Sequence, residues 1–364
     1  MPGDRPRWML HIQAQFWRIL MGIGMMLHRL ARPLPPAPSF HKDIEATVSP
    51  LKGKFRLHFY VPKGYTANQR LKGRRYPCVI NFHGGGFTLG SAHDDARWAG
   101  VVVEQVGAVV VSVDYRLAPE YPFPTAVEDG ADAILYLARN ADQLMLDTER
   151  FAVSGFSSGG NMSFTVPLCL QGELLEKTSS GKPIPSSHAG HTPVQPPSVV
   201  VTNSTQGIQV KIRGIVSFYP STDYTQTREQ RRQTCARKDQ QLPAVFTQLF
   251  DDSYLQPPSL DLAHPWLSPG VAPDSMLAAL PDDIVLFCCE WDMLLAEGER
   301  LRDRLRTGLG KRVHYHCVPG VPHGWDKAPN PLRESPGARN QYMVACKELR
   351  RMFAIDDEDG LQEV

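Results

Sequence analysis

The sequence predicts an α/β fold, an open and mostly parallel sheet with helices on both faces. Short apolar runs recur at 54–61, 77–82, 108–113, 150–155, 214–219, 284–289 and 313–318. Helix-period stretches stand between them at 93–106, 124–142, 158–177, 295–307 and 338–353. That strand–helix alternation is the pattern of a parallel sheet. Several of the runs are continuously apolar rather than alternating, which suits strands covered on both faces. With 364 residues, 42% of them hydrophobic, the chain has material for one large core or two ordinary ones.

At the amino terminus, residues 16–27 (FWRILMGIGMML) are nearly all apolar. They fall short of the ~20 residues a membrane-spanning helix needs, and no small-residue cleavage site follows before Pro33. The segment reads as an amphipathic helix lying over the rest of the protein, with weak peripheral membrane contact as its alternative use. PLPPAPSF (33–40) then acts as a linker.

Two later stretches break the rhythm. Residues 178–211 are rich in Ser, Pro, Gly, Thr and Gln and read as a poorly ordered surface insertion, with His188 and His191 as solvated side chains rather than metal ligands. Residues 221–275 carry helix candidates near 225–238 and 243–252 and form too long a connection for a simple crossover. Pro167 is expected to kink the helix at 158–177 or end it early.

Composition excludes several function classes. The 39 basic and 38 acidic side chains leave a net charge of +1, which gives no field to hold nucleic acid. Seven cysteines show no Cys-x-x-Cys spacing; Cys78, Cys288, Cys289 and Cys317 lie in strand-like runs as buried thiols. Reduced cysteines point to a cytoplasmic setting, and neither a metal nor an organic cofactor is expected.

The chemistry is written at the ends of the predicted strands. His83-Gly84-Gly85-Gly86-Phe87 follows the run at 77–82. Such an HGGG string arises by chance about 0.006 times in a chain of this composition. Its glycines free the backbone to aim N–H groups at a developing negative charge. Gly155-Phe156-Ser157-Ser158-Gly159-Gly160 joins a strand to a helix through a turn that projects the Ser157 hydroxyl. Serine needs a base, and His323, in the loop after 313–318, is the leading candidate. Two carboxylates end the run at 284–289; Asp292 is the first choice to orient the imidazole and Glu290 the alternative.

Together with Asp114-Tyr-Arg-Leu-Ala-Pro-Glu120, Asp292-Met-Leu294 and His323-Gly, these strings resemble the hormone-sensitive-lipase group of α/β-hydrolases over roughly residues 75–330. The resemblance implies a carboxylic-ester hydrolase with Ser157 as nucleophile, Asp292 as acid and His323 as base. It implies an oxyanion hole of Gly84, Gly85 and Ser158. It also implies a mostly parallel sheet flanked by helices, with a helical cap from the N-terminus (1–45) and an insertion after strand six (221–275), on a core of 46–220 and 276–364. In that cap Trp8, Phe16, Trp17, Met21, Met25 and Met26 would form an apolar lid over the acyl group. Phe87, Phe156, Trp17 and Met21 are the candidate pocket residues, for a small-molecule ester of short to medium acyl length. Phe156 and Ser158 depart from the family's usual GDSAGG and leave substrate preference open. An acyltransferase or lyase, or an inactive binding relative, would use the same fold.

Overall fold

The computed structural model describes residues 5–66, 73–178, 199–203 and 208–355. Among the described residues nine strands form one sheet: β1 (Phe40–Glu45), β2 (Lys54–Tyr60), β3 (Tyr76–Phe82), β4 (Val109–Asp114), β5 (Leu146–Phe156), β6 (Val199–Asn203), β7 (Ile208–Phe218), β8 (Asp283–Cys289) and β9 (Arg312–Val318). Their order is β1-β2-β4-β3-β5-β7-β8-β9, with β6 attached to β7. From β4 to β9 along that path every pairing is parallel; β1–β2, β2–β4 and β6–β7 are antiparallel.

The continuous apolar runs are explained by burial on two sides. Cys78, Ile80 and Phe82 of β3 enter one core cluster, and Val79 enters the other. Helices α3 (Thr125–Arg139) and α4 (Ser158–Thr178) cover the first face. Helices α2 (Ala96–Val106) and α9 (Ala338–Met352) cover the second, where Trp98 meets Tyr342.

The excursion between β7 and β8 carries α5 (Arg228–Gln233), α6 (Ala244–Tyr254) and α7 (Asp274–Ala278); α8 (Leu295–Asp303) follows β8. It comes after the seventh strand in chain order rather than the sixth that the resemblance implies, and β1 and β6 are strands the sequence does not predict. β1 (FHKDIE) has only Phe40 and Ile44 as apolar residues, and its edge position asks for little more. The Phe40 ring stacks on Phe59 at 4.5 Å, so β1 belongs to the sheet rather than to the linker or cap. β6 and the start of β7 lie inside 178–211, which is therefore not wholly irregular. Residues 179–198, with His188 and His191, are outside the described residues.

Pro167 does not end α4, which runs on to Thr178. Its neighbours Val166, Leu168 and Cys169 are fully buried, and that packing outweighs the hydrogen bond proline forfeits. Cys317 is exposed, not buried, because it stands on the outer side of β9 at the sheet's edge.

Helix α1 (Arg7–Leu30) lies across the carboxyl ends of the strands, packed on α6 with Trp17 against Phe246 at 4.6 Å. Arg18 fixes it, donating to the carbonyls of Thr88 and Ala118 and to the Glu120 carboxylate. At its far end the ring Nδ1 of His28 meets the Ala328 carbonyl at 3.1 Å, while Arg97 donates to Nε2. Burial, then the nearby Lys327 charge, lowers the His28 pKa to about 4. The unfolded chain takes up this proton near pH 6.5, before the folded one does, so stability falls as pH drops from about 6.5 toward 4. Thermal melts across that window should show a declining Tm, with a shallower slope in His28→Gln. An equal slope in both proteins would contradict this assignment.

Candidate active site

Each expected reacting residue stands just beyond the carboxyl end of a parallel strand, where open α/β sheets gather their sites. Ser157 sits on the turn between β5 and α4 at φ +55°, a left-handed conformation costly for a side-chain-bearing residue. The flanking glycines make the turn feasible. A Cβ on Gly155 would lie 2.1 Å from the Gly159 carbonyl oxygen, and one on Gly159 would lie 1.9 Å from that of Phe82. The Ser157 N–H donates to the Phe218 carbonyl at 2.9 Å, tying the turn to β7.

His323 reaches this serine from the loop after β9, with Nε2 2.8 Å from the Ser157 Oγ. Its Nδ1 is 2.5 Å from Asp292 Oδ2. The other oxygen of Asp292 accepts the Leu294 N–H at 2.9 Å, which turns the carboxylate toward the ring. Asp292 is buried and His323 nearly so. Glu290 is engaged elsewhere, where its carboxylate accepts the Gly320 N–H at 2.6 Å and joins the β8 and β9 loops. Of the two carboxylates, Asp292 is the one within hydrogen-bond distance of the imidazole.

Residues 83–90 turn back on themselves beside Ser157. A Cβ on Gly84 would meet the Phe156 carbonyl oxygen at 3.0 Å and the Ser157 Cβ at 3.4 Å. Gly85 has φ +120°, and a Cβ there would strike the Leu89 carbonyl oxygen at 2.2 Å. Gly86 lies under the Phe250 ring, 2.3 Å from where its Cβ would be. His83 is buried and stacks on Tyr115, with ring centroids 4.2 Å apart. Ser158 is also buried and opens α4, where helix N–H groups have no partner within the helix.

These residues border a cavity of about 420 Å³. Gly84, Gly85, Ser157 and His323 form its reacting side, and Trp17, Met21, Phe246 and Phe250 form apolar walls. Phe87 is not part of it. At φ +60° its ring turns inward and stacks on Tyr254 at 3.8 Å. Phe156 borders the cavity, but its ring is stacked on Phe218 at 4.3 Å within the core beneath. Of the six residues expected in the lid, Trp17, Met21 and Met25 line the cavity, whereas Trp8, Phe16 and Met26 face outward.

Sequence reasoning missed one part of the site. The Tyr219 ring stands edge-on to His323 with centroids 4.9 Å apart, and its hydroxyl donates to Asp326 at 2.5 Å. Tyr342 donates to the other oxygen of Asp326, and Lys327 bridges Asp326 and Asp95 at 3.0 Å each. Burial opposes charge on Lys327, yet Asp326 and Asp95 raise its pKa well above the usual range. Burial, followed by the Asp326 charge, pushes the Tyr219 hydroxyl up, so it remains a donor. This buried network supports the wall against which the imidazole rests. No spacing in the sequence marks it, since Tyr219 and Asp326 are 107 positions apart. Phe246 and Phe250, four apart on one helix face, were a signal within reach.

Among the described residues, no cluster of three or more His, Cys, Asp or Glu side chains is arranged to hold a metal ion, and no helix is long and apolar enough to cross a membrane.

Comparison with known proteins agrees with this architecture. A family model for the alpha/beta hydrolase fold matches residues 79–327. Arylacetamide deacetylase-like 2 of Homo sapiens is 30% identical over 305 residues, covering 74% of this chain and 70% of the human one. Lipase 2 of Moraxella sp. (strain TA144) is 29% identical, covering 82% of this chain and 66% of its own length. The arylesterase of Saccharolobus solfataricus is 38% identical over 107 residues, 35% of its length. The chain thus spans less than two thirds of several curated relatives it matches. Among solved structures, the hyperthermophilic esterase of Pyrobaculum calidifontis is similar at a TM-score of 0.71 and 26% identity, covering 98% of this chain and 100% of that one. Sheet order, strand-end site and matched segment converge, and the chain belongs to the α/β-hydrolase-fold family, within its hormone-sensitive-lipase-like branch.

Proposed function

We propose that this protein is a serine carboxylic-ester hydrolase acting on small-molecule esters of short to medium acyl length. The observation that carries the reading is the continuous relay from Ser157 Oγ through His323 to Asp292, opening into an apolar cavity. Ser157 attacks the ester carbonyl while His323 Nε2 takes its proton. Asp292 holds the imidazole in the tautomer that presents Nε2 to the serine, and stabilises the imidazolium that forms. The oxyanion is received by the N–H groups of Gly84, Gly85 and Ser158, the last at the positive end of α4. His323 then returns the proton to the leaving alcohol, and water cleaves the acyl-enzyme by the same route. Helix α1 and the 221–275 excursion serve as a cap, and α1 offers peripheral contact to a membrane. Free cysteines support a cytoplasmic location.

Acyl length is set by the walls that Trp17, Met21, Phe246 and Phe250 supply. Each methylene that finds room there contributes about 0.8 kcal/mol, or roughly fourfold in kcat/KM. A series of p-nitrophenyl esters should therefore climb from acetate to an optimum at short or medium length and then fall. An optimum at ten carbons or longer would overturn the chain-length assignment, and no turnover of any ester would overturn the activity.

A further inference from the structure

Helix α1 is apolar on two opposite faces. One faces the protein, with Leu10, Ala14, Met25 and His28 buried and Trp17 and Met21 on the cavity. The other carries Trp8, Ile12, Phe16, Ile19, Ile23, Met26 and Leu30, each between 49% and 65% exposed. At about 100° per residue these seven fall within an arc of roughly 80°, on a stripe about 33 Å long. Isolated exposed apolar residues are ordinary, but a continuous row of this size marks a contact surface. Leu34 extends it beyond the helix end, and Val245 is exposed on the neighbouring α6.

We propose that this stripe docks the enzyme on an anionic lipid surface, lying in the interface rather than spanning it. Charge favours lipid as the occupant. Residues 5–42 contain five arginines and one lysine and not a single Asp or Glu; Arg5 and Arg18 are paired with Asp252 and Glu120, which leaves Arg7, Arg29, Arg32 and Lys42. Arg32 is exposed and Arg29 partly so, at the carboxyl end of the stripe; Arg7, which also donates to the Pro119 carbonyl, stands at the other. A second copy docked antiparallel on the stripe would set the Arg7 end of one helix against the Arg29–Arg32 end of the other, cation facing cation. Anionic headgroups complement both ends at once.

The placement also says what docking does. Leu20 is exposed beside the stripe and lines the cavity as well, so apolar surface runs without a break from the outer face of α1 to the ester site. Lipid dissolved in the leaflet it docks on would meet that path directly, which makes membrane-partitioned esters the substrates this arrangement favours. This last step rests on the hydrolase reading; the docking does not.

Flotation of the full chain carrying Ser157→Ala, which separates binding from turnover, tests the docking with vesicles of phosphatidylcholine with and without phosphatidylserine. Binding is expected with phosphatidylserine, weakening as salt rises. The triple variant Ile12→Ser/Ile19→Ser/Ile23→Ser should bind at least about tenfold more weakly. In a serine-157 background the same triple variant should hydrolyse soluble p-nitrophenyl esters at the unaltered rate, showing that it folds. Equal partitioning of parent and triple variant would overturn the proposal. So would failure of the parent to float together with a concentration-dependent dimer that the triple variant abolishes, since a second copy would then own the stripe. Flotation of the Ser157→Ala chain, together with a serine-157 parent that hydrolyses no ester, would sink the hydrolase reading and leave the docking standing.

Discussion

Ser157→Ala is expected to lower kcat by about 10⁶-fold while leaving the fold intact. The hydroxyl is the sole atom lost, and the turn that holds it is fixed by Gly155, Gly159 and the bond from its N–H to Phe218, all of which survive. The φ of +55° is no harder for alanine than for serine. Residual hydrolysis above the rate in water should remain, because the oxyanion donors and the cavity are untouched. The check is steady-state turnover of a p-nitrophenyl ester, together with labelling by an organophosphate. Labelling should attach to Ser157 in the parent and vanish in the variant. Retained turnover in pure variant would overturn the assignment of the nucleophile.

Asp292→Asn should cost about 10⁴-fold in kcat with little change in KM. The amide keeps the shape of the carboxylate but cannot both accept the Leu294 N–H and accept a proton-bearing Nδ1 as strongly, and it no longer stabilises the imidazolium. Its NH₂ group favours the tautomer that directs a proton at Ser157 instead of a lone pair. The paired control is Glu290→Gln, whose side chain touches Gly320 and not the imidazole. That variant should keep activity within about tenfold of the parent, because neither the relay nor the cavity loses a group. A larger loss in Glu290→Gln than in Asp292→Asn would exchange the two assignments.

How far the sequence led can be judged from particular residues. The apolar runs of β3, β4, β5, β7 and β8 are readable because strands buried on both faces carry no polar alternation to confuse the period. β1 and β6 are not, because short edge strands are held by a neighbour's backbone more than by their own side chains. Pro167 misleads about where α4 ends, because a local propensity takes no account of the packing that surrounds the helix. Phe87 misleads for a related reason: adjacency to the glycine loop says nothing of the direction its ring takes, and the left-handed backbone sends it inward.

Residue order alone was enough to pick out the candidate reagents, since a nucleophile elbow and a triple-glycine loop are local backbone problems solved by residues next to one another. The chain order of serine, carboxylate and base was legible in the same way. Folding was needed to choose between Asp292 and Glu290, to set Tyr219 and the Asp326–Lys327 network behind the imidazole, and to show which side of α1 meets the cavity and which is left bare. Those are questions of distance between segments far apart in the chain and of burial on one face of a helix. Neighbouring residues carry no record of either; packing alone settles them.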